Sequence, residues 1–140
     1  MRTWNRATIL VVAVAAALPL AARAQANKTV SVTITSPQNG ATVSGPVTIK
    51  LQATGVKIAP ATVQQPGTAH HHLFVDHDLT WLRDTIPSGS PGVIHLGRGQ
   101  TEFVLDSLKP GPHRVIALLA DWRHIPLNPL VSDTVTFTVK

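Results

Sequence analysis

The chain has 140 residues, with seven histidines, no cysteine and no tyrosine, and a formal net charge of +5. The absence of cysteine excludes disulfides, thiolate metal ligands, a cysteine nucleophile and a lipoprotein anchor. Most of the net positive charge comes from the N-terminus. Without Arg2, Arg6 and Arg23, nine basic residues remain against seven acidic ones, and the net charge falls to +2. This balance gives no reason to expect nucleic-acid binding.

The N-terminus has the pattern of a secretory signal peptide. Two arginines precede an apolar stretch over residues 8–22, and small residues at 22 and 24 supply a cleavage pattern. The stretch is shorter than the about 20 residues of a spanning helix and is interrupted by Pro19. We therefore expect residues 1–24 to be removed and residues 25–140 to form one domain. The mature protein is then periplasmic or secreted, without stable membrane insertion.

The mature chain shows the period-2 alternation of β-strands. Apolar and polar residues alternate over 30–35, 47–53 and 134–139, whereas 114–120 is apolar on both faces and is expected to be central. Residues 77–85 have room for one helical turn at most. About seven short strands favour an all-β, immunoglobulin-like β-sandwich. We letter the predicted strands A (29–35), B (47–53), C (70–76), D (93–96), E (101–105), F (113–120) and G (133–139).

This topology predicts which chemically active side chains converge. In an immunoglobulin-type sandwich the B–C, D–E and F–G loops lie at one end, and strands C and F are neighbours. The residues expected at that end are His70, His71, His72, His95, Asp121 and His124, with Arg98, Gln100 and Trp122 around them. His77 and His113 are expected at the opposite end.

Strand alternation separates the three consecutive histidines. His71 shares a face with Leu73, and we expect that face to be the core. His70 and His72 share the other face, about 6.6 Å apart along the strand. Two imidazoles at this separation can bind the same ion, so the sequence predicts a half-site for Cu(II) or Zn. A further ligand is expected from His124, His95 or Asp121.

Each of these residues also has a structural interpretation. A histidine on a strand often serves only as a hydrogen-bonding group. Asp121 can satisfy backbone N–H groups in the F–G turn. His113 lies where immunoglobulin-like domains often have a corner tyrosine, so we expect it to bond backbone carbonyls. Trp122 either packs within its loop or lines a ligand pocket.

No motif of an enzyme is evident. The chain has no G-x-S-x-G, no phosphate-binding glycine loop and no H-E-x-x-H. The seven acidic residues are few, and no pair of them stands out as an acid–base couple. We therefore expect a non-catalytic protein.

Four ordered blocks resemble an uncharacterised exported bacterial family, domain of unknown function 4399. They are Thr68-Ala-His-His-His-Leu-Phe-Val-Asp76, Ile94-His-Leu-Gly-Arg-Gly-Gln-Thr-Glu102, Leu108-x-Pro-Gly-x-His113 and Asp121-x-x-His-Ile-Pro126 with Pro129-Leu-Val-Ser132. The resemblance covers about residues 66–140 and implies a small periplasmic domain. It also implies that the family's histidine-rich positions fall on His70, His71, His72, His95, His113 and His124. Trp122 and Leu127 depart from the pattern.

Two hypotheses of different class follow. In the first, the protein binds Cu or Zn through the histidine cluster and buffers or delivers the ion. In the second, it is a non-metal immunoglobulin-like module that binds an envelope protein or a small anionic ligand. Arg98, Gln100 and the histidines would then donate hydrogen bonds to that ligand.

Overall fold

A computed structural model describes residues 28–80 and 83–140. The predicted signal peptide lies outside the described residues, as do two residues of the 77–85 segment. The described residues are all-β and contain no helix long and apolar enough to cross a membrane. Their nine strands are β1 (Ser31–Ser36), β2 (Ala41–Val43), β3 (Val47–Thr54), β4 (Lys57–Ile58), β5 (Thr68–Val75), β6 (Val93–Leu96), β7 (Glu102–Leu105), β8 (Gly111–Ala120) and β9 (Ser132–Val139).

The strands form two sheets, as the predicted β-sandwich requires. The smaller sheet has the order β1-β3-β7. The larger has the order β2-β9-β8-β5-β4, with β6 also paired to β5. The seven predicted strands correspond to β1, β3, β5, β6, β7, β8 and β9, with bounds that differ by two residues or fewer. The remaining two, β2 and β4, pair in parallel with β9 and β5. They have three and two residues, too few for an alternation pattern to be recognised.

The strand predicted as D lies in a different sheet from the one that its letter implies. A strand D of a constant-type immunoglobulin domain joins the sheet of A, B and E, whereas β6 pairs antiparallel with β5 in the other sheet. Its core-facing residues Ile94 and Leu96 would be buried by either arrangement, so alternation cannot distinguish them. This pairing determines where His95 lies.

Two apolar clusters hold the larger sheet in place. The main core lies between the sheets and includes Leu73, Leu119 and Ile49. A second cluster covers the outer face of the larger sheet, where Phe74 and Leu118 pack with Ile86 from the β5–β6 loop. As predicted, β8 is buried on both faces, with side chains alternating between the two clusters. The outer face is therefore partly covered, and polar side chains beside the second cluster are shielded from water.

Candidate metal centre

Strand β5 presents alternate histidines to opposite faces, as predicted. His71 shares the inner face with Leu73, which belongs to the main core. His70 and His72 share the outer face with Phe74. All three imidazoles are at most 1% exposed. Their burial follows from the position of β5, which has β8 along one edge and β4 and β6 along the other.

The pairing of β6 with β5 brings His95 to the same face. His95 lies directly opposite His72 in the antiparallel register. Directly opposite residues point to the same face, with Cβ atoms about 4.5–5.5 Å apart. The His95 and His72 rings stack with their centroids 5.0 Å apart. His95 was predicted to reach the site through the D–E end of the sandwich, but it does so by cross-strand pairing.

His124 reaches the cluster from the loop after β8. The turn is held by Asp121, whose Oδ1 accepts N–H bonds from Arg123 at 2.8 Å and Ile125 at 3.1 Å. The His124 N–H donates to the Asp121 carbonyl at 2.8 Å. His124 adopts a left-handed backbone conformation with φ of 65°. Non-glycine residues are uncommon there and occur often at functional sites.

The result is a group of four imidazoles on one face: His70, His72, His95 and His124. Each offers a ring nitrogen, and these four atoms all lie within 4.8 Å of one another. Nε2 of His70 and Nε2 of His72 are 3.0 Å apart, and Nε2 of His95 and Nε2 of His124 are 3.1 Å apart. The two short separations are compatible with nitrogens that bind one ion at about 2.0–2.1 Å. The described residues thus include a histidine cluster that could hold a metal.

Electrostatics keep the buried imidazoles neutral. Burial, reinforced by the neighbouring imidazoles, lowers the pKa of His70 to about 4 and that of His72 to about 2. Burial and the adjacent His124 also lower the pKa of His95. A neutral imidazole has a free lone pair, which a metal ligand requires. At neutral pH these three rings are therefore already uncharged, and no protonated imidazole has to be deprotonated before an ion binds.

Asp121 does not belong to this group of ligand atoms. Its Oδ2 accepts from the Arg123 guanidinium at 2.6 and 2.9 Å, while its Oδ1 caps the turn. Burial tends to raise the pKa of Asp121, but the hydrogen bonds from Arg123 and Ile125 outweigh it and hold that pKa below its ordinary value. The ionised carboxylate in turn raises the pKa of His70 slightly against the larger effect of burial. Asp121 thus has the turn-capping role that was the structural interpretation.

The predicted neighbours of the site have separate roles. His71 Nδ1 donates to the Gln100 carbonyl at 3.1 Å, on the core side of the sheet. The Gln100 side chain accepts from the Arg98 N–H at 2.8 Å and so closes the turn after β6. Trp122 lines a cleft of about 700 Å³ beside the loop rather than the histidine cluster. These contacts support the elements that carry the ligands.

One supporting contact was not predicted. The backbone N–H of Ile86 donates to the His124 carbonyl at 2.9 Å, and the Ile86 side chain is 2% exposed in the outer apolar cluster. The β5–β6 loop thereby holds the strained His124 in place. The only signal in the sequence is one isoleucine within a polar and Pro/Gly-containing stretch.

The last two histidines lie at the opposite end, as predicted. His113 Nε2 donates to the Lys109 carbonyl at 2.7 Å, and its Nδ1 lies 2.7 Å from Asp76 Oδ2. This bond to a backbone carbonyl confirms the corner role. His77 Nδ1 contacts the carbonyl of Asp78 at 2.7 Å. Neither residue belongs to the four-histidine cluster.

Residues 49–140 match the model of the family Domain of unknown function (DUF4399). The protein belongs to this family. The match starts within β3 and therefore extends beyond the 66–140 resemblance seen in the sequence. No curated protein matches the chain.

The solved structures that are similar to the chain include the following two. An engineered protein has a TM-score of 0.49 and 14% identity, with 80% of this chain and 20% of that chain covered. The endo-beta-1,4-mannanase from Thermotoga petrophila has a TM-score of 0.44 and 17% identity, with 81% of this chain and 20% of that chain covered. The chain thus spans about a fifth of each.

Proposed function

We propose that this protein is an exported, non-catalytic binder of a divalent transition metal, Cu(II) or Zn, at His70, His72, His95 and His124. The observation that carries the proposal is the convergence of four ring nitrogens within 4.8 Å from three separate elements. The three elements are β5, β6 and the loop after β8. In a periplasmic or secreted setting such a site would buffer the ion or deliver it to a partner.

The donor set supports this class of ion. Imidazole suits Zn, Cu and Ni, whereas Mg and Ca are bound by oxygen ligands. The site offers no thiolate or thioether, which a soft Cu(I) site favours. Among divalent ions the Irving–Williams order places Cu(II) above Zn. We expect Cu(II) to bind more tightly than Zn.

The number of protein ligands supports binding rather than catalysis. Four protein ligands are typical of structural zinc sites, whereas catalytic zinc sites commonly keep one position for water or substrate. His70 and His72 are buried, but His95 is exposed and His124 is half-buried. The ion would therefore enter and leave on the side of His95 and His124. This combination suits storage and transfer of the ion.

The buried half of the cluster carries a cost to the stability of the fold. His72 Nδ1 has no hydrogen-bond partner, although His72 is only 1% exposed. A buried polar atom without a partner costs about 1–3 kcal/mol. The neighbouring residues Phe74 and Leu118 on the same face are apolar. Apolar side chains fill this face without leaving a buried polar atom unpaired. A pair of buried histidines here is consistent with selection for ligand binding rather than for stability.

Metal analysis of the purified, untagged mature protein tests the proposal. We expect one Cu or Zn per chain in the wild type and loss of the ion in His70→Ala, His72→Ala or His124→Ala. His77→Ala removes a histidine at the opposite end and should retain the ion. Equal metal content in all variants would reject the four-histidine site.

The cleft beside Trp122 favours the second hypothesis, a module that binds a small anionic ligand. Its volume of about 700 Å³ is within the range of small-molecule sites, and Lys28 and Arg123 lie in its lining. Among the described residues, no histidine lines this cleft, so anion binding there should change little between neutral pH and pH 4. Metal binding should weaken at pH 4, because the pKa of His70 is about 4 and protons then compete with the ion. Titration at these two pH values therefore distinguishes the hypotheses.

A further inference from the structure

Gly97 lies two residues after His95 and in direct contact with its ring. A Cβ atom added to Gly97 would overlap Cε1 and Nε2 of His95 and would lie 2.9 Å from Nδ1. Nε2 is the atom that faces Nε2 of His124 at 3.1 Å. The space that a side chain at position 97 would need is therefore already filled by the ring in its clustered position.

The backbone does not require glycine at this position. Gly97 is absent from the residues with positive φ, whereas Gly99 in the same turn has φ of 78°. An L-residue can adopt the conformation of Gly97 without backbone strain. The contact with the His95 ring is therefore the specific reason for a residue without a side chain.

The His95 ring has room to move, so a side chain introduced at position 97 would displace the ring. His95 is exposed and lies on β6, an edge strand with β5 as its paired neighbour. A side chain at 97 would push the exposed ring towards solvent rather than shift the backbone. The Gly97 carbonyl would keep its bond from the Ala61 N–H, now 2.9 Å. The sandwich should therefore tolerate the change, while the fourth ring leaves the cluster.

We propose that Gly97 is a positioning residue of the metal centre, because its lack of a side chain allows His95 to lie against the other three histidines. This inference rests on the proposed metal-binding function. With any larger residue at 97, the four-imidazole site becomes a three-imidazole site. Outer contacts that orient ligands typically affect metal affinity by about 10–100-fold. We expect a loss of that size for Gly97→Ala.

The test compares Gly97→Ala, His95→Ala and the double variant by competition titration with Cu(II) and with Zn. Gly97→Ala should weaken binding about as much as His95→Ala, and the double variant should lose no more than either single one. Such non-additivity is expected when both changes remove the same contact. The metal-free melting temperature of Gly97→Ala should stay within a few degrees of the wild type.

Gly99→Ala is the matched control in the same turn. Its Cβ would meet the Ala59 carbonyl carbon and the Pro60 nitrogen at 3.3 Å, in addition to the unfavourable φ. Gly99→Ala should therefore lower the metal-free melting temperature and leave metal affinity within about threefold of the wild type, because it does not contact a ligand ring.

Three results would overturn the inference. The first is wild-type affinity in Gly97→Ala when His95→Ala is weakened. The second is a large loss of metal-free stability in Gly97→Ala, which would make the glycine a requirement of the fold. The third is full binding by both Gly97→Ala and His95→Ala with loss in His70→Ala, which would leave a site of three ligands. Absence of metal binding by the wild type would instead reject the proposed function itself.

Discussion

Replacing His113 by alanine tests whether the end of the sandwich opposite the histidine cluster serves stability alone. The imidazole side chain is 11% exposed, and its two nitrogens lie 2.7 Å from the Lys109 carbonyl and from an Asp76 carboxylate oxygen. Both partners are acceptors, so both bonds form only when the ring carries two N–H groups. A hydrogen bond to a charged group contributes about 1.5–3 kcal/mol. The Asp76 side chain is 46% exposed, so solvent reduces its share. We expect a total loss of about 1–3 kcal/mol.

The stability lost in His113→Ala should depend on pH, and the direction of that dependence follows from the pKa of His113. The hydrogen bond to the Lys109 carbonyl and then that to Asp76 raise the pKa of His113 above 6.5. A raised pKa in the folded state means that this histidine stabilises the fold fully below pH 6.5. The contribution is lost as pH rises through the folded-state pKa. The stability difference between wild type and His113→Ala should therefore be largest near pH 5.5 and smaller near pH 9.

Urea denaturation at those two pH values measures the difference. His77→Ala controls for loss of a histidine at the same end, because it leaves the bond between His113 and Asp76 in place. Metal affinity of His113→Ala should match that of the wild type. A stability difference that grows with pH would refute the doubly protonated ring, and a stable variant without metal binding would place His113 in the site.

Three further predictions address processing, the core and the site. Mass spectrometry of the exported protein should show a chain that begins at Gln25, whereas an intact N-terminus in the membrane fraction would exclude the signal peptide. His71→Ala should lower the unfolding free energy by about 1–3 kcal/mol, because it leaves the Gln100 carbonyl without its bond, and should change metal affinity less than His72→Ala does. Metal binding should withstand acidification below pH 6.5, because burial lowers the pKa of His70 to about 4 and that of His72 to about 2 and so delays proton competition. A steep loss of affinity already complete at pH 6.5 would contradict those shifts.

The same pKa values fix the behaviour of the metal-free protein in acid. His70 and His72 have folded-state pKa values below the unfolded 6.5. Below pH 6.5 the unfolded chain therefore binds more protons at these rings than the folded chain does, and stability falls as pH falls. His113 acts in the opposite direction, because its raised pKa makes its contribution to stability fall as pH rises.

The sequence was sufficient for the sandwich and for much of the candidate site. Strand alternation placed His70 and His72 on one face and His71 on the other. Loop convergence placed His124 over the start of β5. These predictions succeeded because the period-2 pattern of a strand is a direct consequence of its backbone geometry.

Other features depend on tertiary choices that local pattern does not encode. Ile94 and Leu96 would be buried in either sheet, so the pairing of β6 with β5 was not predicted. Asp121 could be a ligand or a cap, because a carboxylate accepts from N–H groups as readily as it binds a cation. The contact of Gly97 with His95 is visible only once both residues are placed.

The proposed metal centre requires four histidines to bind one divalent transition metal ion. Calorimetric titration of the untagged mature protein with Cu(II) and with Zn, at pH 7 and at pH 4, near the pKa of His70, measures this binding. We expect one ion per chain, tighter binding of Cu(II) than of Zn, weaker binding at the lower pH and a large loss of affinity in His72→Ala. No heat with either metal, from a protein shown to be folded, would contradict the metal centre and favour the non-metal binding module.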